Sequence, residues 1–160
     1  MIISDILIIV VCFLCLYYLL NGAMYVPTHK DAIAAMIELV RPQSGTKIVD
    51  LGSGDGRIVA EFAKRGASVT GIEINPILVW WSQIKISRLG LSNHAKIRMR
   101  SFWGVNFGQY DVIIVFGITH IMKKLEDKIR KEAKPGTLII SNVFDYCIQN
   151  ARIWATGICN

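Results

Sequence analysis

From Ile6 to Leu20 every residue is apolar, and between Ile2 and Ile6 only Ser4 and Asp5 interrupt the run. A helix over residues 2–20 would be roughly 28 Å long, about one hydrocarbon core. The pattern predicts a transmembrane helix over residues 1–21. A cleavable signal peptide fits less well, because no Lys or Arg precedes Lys30 and Asn21-Gly22-Ala23 is a poor cleavage site. A buried core helix would be shorter and show a polar face. Residues 22–30 then form a linker containing Gly22 and Pro27.

Beyond the linker the period of the pattern alternates between helix and strand. Ile33, Met36, Ile37 and Val40 recur at helical spacing within Lys30–Val40. Short apolar runs predict strands at Thr46–Leu51, Ala67–Ile72, Ala95–Met99, Asp111–Phe116 and Thr137–Val143. Helices are predicted between them at Arg57–Arg65, Pro76–Leu89 and Ile121–Ala133, and a loop at Phe102–Gln109. Strands that are apolar throughout are buried on both faces. The alternation therefore predicts an α/β, Rossmann-like, doubly wound and mostly parallel sheet within residues 31–144. Residues 145–160 show no strong pattern. They are too few for the helix and antiparallel strand pair that usually complete such a sheet, so its last strands are expected to be missing.

Charge adds an orientation. All 18 Lys and Arg residues follow the apolar run, and setting Asp5 aside they face 11 acidic residues. The positive-inside rule puts the body on the cytoplasmic side of a single-pass protein. A basic body beside a bilayer can rest on anionic headgroups. Nucleic acid is the weaker reading of the charge, since no basic cluster is interleaved with aromatics as a binding strip. Cys12 and Cys15 have CxxC spacing but sit in the apolar run as small hydrophobes, not as a metal or redox pair. Cys147 and Cys159 are isolated, and nothing suggests a disulfide framework.

The chemistry concentrates in Asp50-Leu51-Gly52-Ser53-Gly54-Asp55-Gly56-Arg57, which ends the first strand and opens a helix. Glycines at alternate positions let a ligand approach the backbone. A dinucleotide fingerprint needs a sixth-position Gly, and Arg57 stands there. A phosphate-binding P-loop needs GK[ST], which is absent. Asp50 and Asp55 would repel a pyrophosphate but suit a ligand carrying an ammonium and a sulfonium, and S-adenosylmethionine carries both. Glu73, at the tip of the second strand, can accept both hydroxyls of a ribose.

VDLGSGDGR and GIEINP, with Gly22-Ala23-Met24-Tyr25-Val26-Pro27-Thr28 ahead of them, resemble class I S-adenosylmethionine-dependent methyltransferases. The resemblance runs from about Gly22 to Phe144. It is closer still to a branch of membrane-anchored protein-lysine methyltransferases whose mitochondrial members modify the adenine nucleotide translocase and the c-ring protein of ATP synthase. It implies that Asp50, Gly52, Ser53, Gly54, Asp55 and Gly56 shape the methionine end of the pocket, with Asp50 or Asp55 facing the amino group. Glu73 would hold the ribose, with Ile74 and Asn75 beside the adenine. Ser101, Phe102 and Trp103 would lie at the adenine, although many relatives carry Asp where Ser101 stands. Tyr25 and Thr28 would come from a segment folded over the cofactor, and Phe116 would border the reacting centre.

The implied reaction is methyl transfer to a lysine of a membrane protein. The stretch Phe116-Gly117-Ile118-Thr119-His120 lacks the NPPY-type sequence that recognises exocyclic base amines, which argues against nucleic acid substrates. His120 is a candidate proton acceptor, though a lone His is more often a helix-start residue. Two other outcomes stay open: a methyltransferase for a lipid or quinone-like small molecule, and a cofactor-binding module without catalysis.

Overall fold

The structure is a computed structural model that describes residues 4–6, 8–13, 28–115, 121–141 and 153–155. Residues 4–6 and 8–13 are helical. Among the described residues no helix is long and apolar enough to cross a membrane. The remainder of the apolar run lies outside them, so the expected transmembrane helix carries over only as a proposal.

Helix α1 (Lys30–Val40) buries Ile33 and Met36 and stops at Arg41, which takes a left-handed conformation just before Pro42. The sheet then forms from β1 (Lys47–Leu51), β2 (Ser68–Glu73), β3 (Ala95–Met99), β4 (Val112–Val115) and β5 (Leu138–Ser141). Their spatial order is β3-β2-β1-β4-β5, and every pairing is parallel. The chain winds outward from β1 to β3, then returns to lay β4 on the other side of β1. That reversal makes the carboxyl ends of β1 and β4 the switch point, where open sheets of this kind form a crevice.

Helix α2 (Arg57–Ala63) joins β1 to β2 and α3 (Pro76–Arg88) joins β2 to β3. Helix α4 (Met122–Glu132) precedes β5. Alternate side chains of the central strands enter two separate cores. Ile48, Val112 and Ile114 pack with Val59, Phe62, Val79 and Ile86. Val49, Leu51, Ile113 and Val115 pack with Phe107, Leu125 and Ile129. Burial on both faces is the reason β4 reads as the unbroken apolar run VIIV. Phe62 and Phe107 are fully buried, each a contribution of about 2–3 kcal/mol.

A correction falls at the carboxyl end. A sixth strand, β6 (Ile153–Ala155), pairs parallel with β5 through Ile139, Ile140 and Ser141. The patternless tail therefore lengthens the sheet. Three residues are too short for strand periodicity to register, and the pairing partner supplies what the local pattern lacks. The expected loop at Phe102–Gln109 holds two single-turn 3₁₀ helices, Phe102–Gly104 and Phe107–Gln109.

Candidate functional site

Three glycines of the turn after β1 adopt positive φ, with Gly52 at 79°, Gly54 at 53° and Gly56 at 72°. A side chain at any of them would be strained. The backbone N–H groups of Gly52 and Ser53 both donate to the Ile72 carbonyl, at 2.9 and 3.0 Å. These bonds bend the turn over the end of β2, which puts Glu73 beneath it.

The Glu73 carboxylate is held by three backbone donors. Its Oε2 accepts from Gly54 at 2.9 Å, and its Oε1 accepts from Ile74 at 2.8 Å and Asn75 at 2.9 Å. The side chain is nearly buried, so these bonds fix its orientation and offset the cost of desolvating its charge. A carboxylate has about four lone-pair sites, and three are used.

Asp50 is placed differently. It is 1% exposed, and its Oδ2 has no hydrogen-bond partner. Burial, then the nearby Glu73 and Asp55 charges, raise its pKa from 3.8 to about 7. Ser53 Oγ, also buried, has no partner either. Two unpartnered buried polar atoms on one turn are rare in folded proteins and ask for a ligand. A buried acid facing two other acids specifically suits a cation.

Asp55 is already committed. Arg57 Nε and Lys85 Nζ approach its carboxylate at 3.0 and 2.6 Å. Partial burial pushes its carboxyl up, but hydrogen bonds from Arg57 and Lys85 outweigh this and hold it below its ordinary value. Of the two acids expected to face an amino group, Asp50 is therefore the one that keeps an unused oxygen. Arg57 also reaches the Thr28 carbonyl at 3.0 Å. That bond ties the segment before α1 to the Gly-rich turn. Tyr25, Phe116 and His120 lie outside the described residues.

The remaining candidates cluster at the ends of β2 and β3. Ile74 is exposed beside Glu73. Asn75 caps α3, its Oδ1 accepting from Ile77 and Leu78, so its side chain serves the helix. Ser101 Oγ accepts from the Trp103 N–H at 3.4 Å. The rings of Phe102 and Trp103 are tilted against each other at 4.9 Å, and Lys124 Nζ lies over the Trp103 ring. Among the described residues no cluster of His, Cys, Asp and Glu could hold a metal ion.

Reading the sequence misses two supporting residues. A Cβ on Gly71 would come within 2.7 Å of Ser53 Oγ and of Ile97 Cδ1. A Cβ on Gly56 would come within 2.9 Å of Ser82 Cβ. Gly71 in β2 and the fully buried Ser82 in α3 are thus the floor on which the turn rests. A glycine inside a strand is the available signal, since it marks close approach of another segment.

The family model described as the ANTKMT methyltransferase domain matches residues 50–149. The chain belongs to this methyltransferase family. It is 36% identical over 122 residues to the human lysine N-methyltransferase of the ATP synthase c-ring protein, covering 76% of the chain and 52% of that enzyme. It is 32% identical over 123 residues to the protein-lysine N-methyltransferase of Saccharolobus islandicus strain REY15A, covering 76% of each. The chain spans about half the length of the human, mouse and Xenopus laevis ATP synthase lysine methyltransferases it matches. A solved RNA methyltransferase from Salinibacter ruber, in complex with S-adenosyl-L-homocysteine, shares the fold with a TM-score of 0.69 and 30% identity. That match covers 72% of this chain and 76% of the other.

Proposed function

We propose that this chain binds S-adenosylmethionine and transfers its methyl group to a lysine side chain of a membrane-associated protein. The observation that carries the reading is Asp50: a buried carboxylate oxygen without a partner, at the tip of β1, above a turn whose glycines admit a ligand. A ligand ammonium answers that oxygen. The free lone pair of Glu73 suits a ribose hydroxyl, and its three backbone donors hold it ready for one. Exposed Ile74 gives an adenine an apolar neighbour. Ser53 Oγ is a second polar group available to the methionine end.

The cofactor supplies an activated methyl, so the protein's contribution is orientation of an in-line transfer. The acceptor lysine must arrive neutral, and an apolar acceptor site favours that form. Lysine is the acceptor type named for both the human and the archaeal relative. The N-terminal apolar run supports a single-pass membrane protein with its body on the cytoplasmic side, where a membrane-embedded acceptor would meet the pocket.

Labelled S-adenosylmethionine added to membranes containing the chain tests the reading. Label should enter protein and be recovered as methyl-lysine after hydrolysis. Recovery in the lipid extract would assign a lipid or quinone-like acceptor, and recovery in RNA would align the chain with the Salinibacter enzyme. Tight cofactor binding with no transfer to any fraction would leave a binding module.

A further inference from the structure

From Asn75 to Gln109 the chain has no Asp or Glu, yet it carries Lys85, Arg88, Lys96, Arg98 and Arg100. The same stretch contains three of the four tryptophans. Helix α3 lies within it and is apolar nearly all round. Its inner face buries Val79, Ser82 and Ile86. Its outer face presents Ile77, Trp80 and Trp81, with the two tryptophans 61% and 56% exposed. Ile77, Trp81, Ile84 and Arg88 follow one another at helical spacing, so the apolar stripe ends in a cation. A helix apolar on both sides is normally covered on both.

The neighbouring strand continues the surface. β3 is the edge of the sheet, and the groove between it and α3 is lined by Gln83, Ser92, Lys96 and Arg98 among others. Met99, paired in register with Glu73, is 63% exposed. Bulky apolar groups beside cations, with no acid in the stretch, fit a surface that is apolar below and anionic above. Tryptophan is the residue type enriched at that boundary in bilayers.

Chain length limits where the surface can go. Thr28 is bonded to Arg57 at the start of α2, beside the turn. Leu20, the last residue of the apolar run, is eight residues earlier, a reach of at most about 29 Å. If the run is in a bilayer, the domain stays within that distance of the headgroups.

We infer that the outer face of α3, with the β3 edge, docks on an anionic lipid surface, Trp80 and Trp81 entering the headgroup boundary and Arg88, Lys96 and Arg98 meeting lipid phosphates. The inference rests on the membrane-tethered reading above and adds a defined orientation: the domain lies on its α3 side, leaving the switch-point crevice beside the bilayer.

The test uses the full chain in vesicles containing brominated phospholipid, with tryptophan emission as the readout. No tryptophan precedes Trp80, so the apolar run cannot contribute. In vesicles with phosphatidylglycerol the emission of two of the four tryptophans, about half of the total, should be quenched. Trp80→Phe/Trp81→Phe should abolish that fraction. Arg88→Gln/Arg98→Gln should lower the docked-to-free ratio about fivefold for each cation lost. A chain that floats with vesicles but shows no quenching overturns the docking and leaves the tether standing. A chain that does not float even with anionic vesicles overturns both. Quenching unchanged in Trp80→Phe/Trp81→Phe, or an emission change produced by single-stranded RNA and not by lipid, assigns the face elsewhere and overturns the proposal. None of these outcomes depends on where the labelled methyl goes.

Discussion

Gly54 donates its backbone N–H to Glu73 Oε2 at 2.9 Å, joining the turn after β1 to the tip of β2. One carboxylate is thereby both a structural clamp and the candidate ribose acceptor. Replacing it separates the two roles. Glu73→Gln can keep the amide oxygen toward Ile74 and Asn75, but its NH₂ then meets the Gly54 N–H donor to donor. We expect a loss of about 1–3 kcal/mol in unfolding free energy without ligand, read by urea denaturation. Glu73→Ala should cost at least as much and also remove calorimetric binding of S-adenosylhomocysteine. A Glu73→Ala variant that binds as well as the wild type would remove the ribose assignment.

Asp50 makes cofactor affinity depend on pH. In the free protein its carboxyl titrates near pH 7, and an ammonium ligand requires the ionised form. Affinity for S-adenosylhomocysteine should be flat from about pH 8 to 7 and then fall roughly tenfold for each further unit of acidification. Asp50→Asn should bind weakly with no slope in this range. A wild-type affinity constant from pH 8 to 6 would exclude Asp50 as the ammonium partner.

The same residue acts in the opposite direction on folding. The folded ligand-free state keeps a proton that the unfolded chain, with a carboxyl near 3.8, releases. Stability from Asp50 is therefore complete below about pH 4 and is lost as pH rises to about 7, by up to about 4 kcal/mol. Asn at this position has no charge to bury. Asp50→Asn should raise the melting temperature of the free protein at pH 7.5 by about 5 °C while impairing binding. Scanning calorimetry at pH 4.5 and 7.5 checks the sign, since the advantage should shrink at the lower pH.

The legible parts of the chain are those in which period and burial agree. α1 and β3 occupy the residues that their patterns predict, and β1, β2 and β4 differ only at their ends. Asp50 and Asp55 cannot be separated from sequence, because both are acids on one turn. What distinguishes them is Lys85, 30 residues after Asp55 and brought to it by the packing of α3. The bond between Gly54 and Glu73 is equally hidden, since it depends on β1 and β2 being neighbours in register. Asn75 is expected beside the adenine, but the first turn of α3 needs a cap and takes its side chain. Helical spacing does not tell the outward tryptophans of α3 from core residues, and only their exposure does.

Gly71 tests whether the floor of the turn matters. It lies inside β2, where a methyl group would press on Ser53 Oγ and Ile97 Cδ1, both at 2.7 Å. Overpacking of this kind typically costs about 1–3 kcal/mol, and here the displaced group belongs to the turn itself. Gly71→Ala should therefore weaken S-adenosylhomocysteine binding by more than its loss of stability alone explains. The control is Gly136→Ala, at a left-handed turn with open space around it, far along the chain from the site. It should destabilise through backbone strain alone and leave the affinity of the folded fraction unchanged. If both glycine variants lowered affinity equally at matched stability, the close contact beneath Ser53 would have no special part in holding the turn.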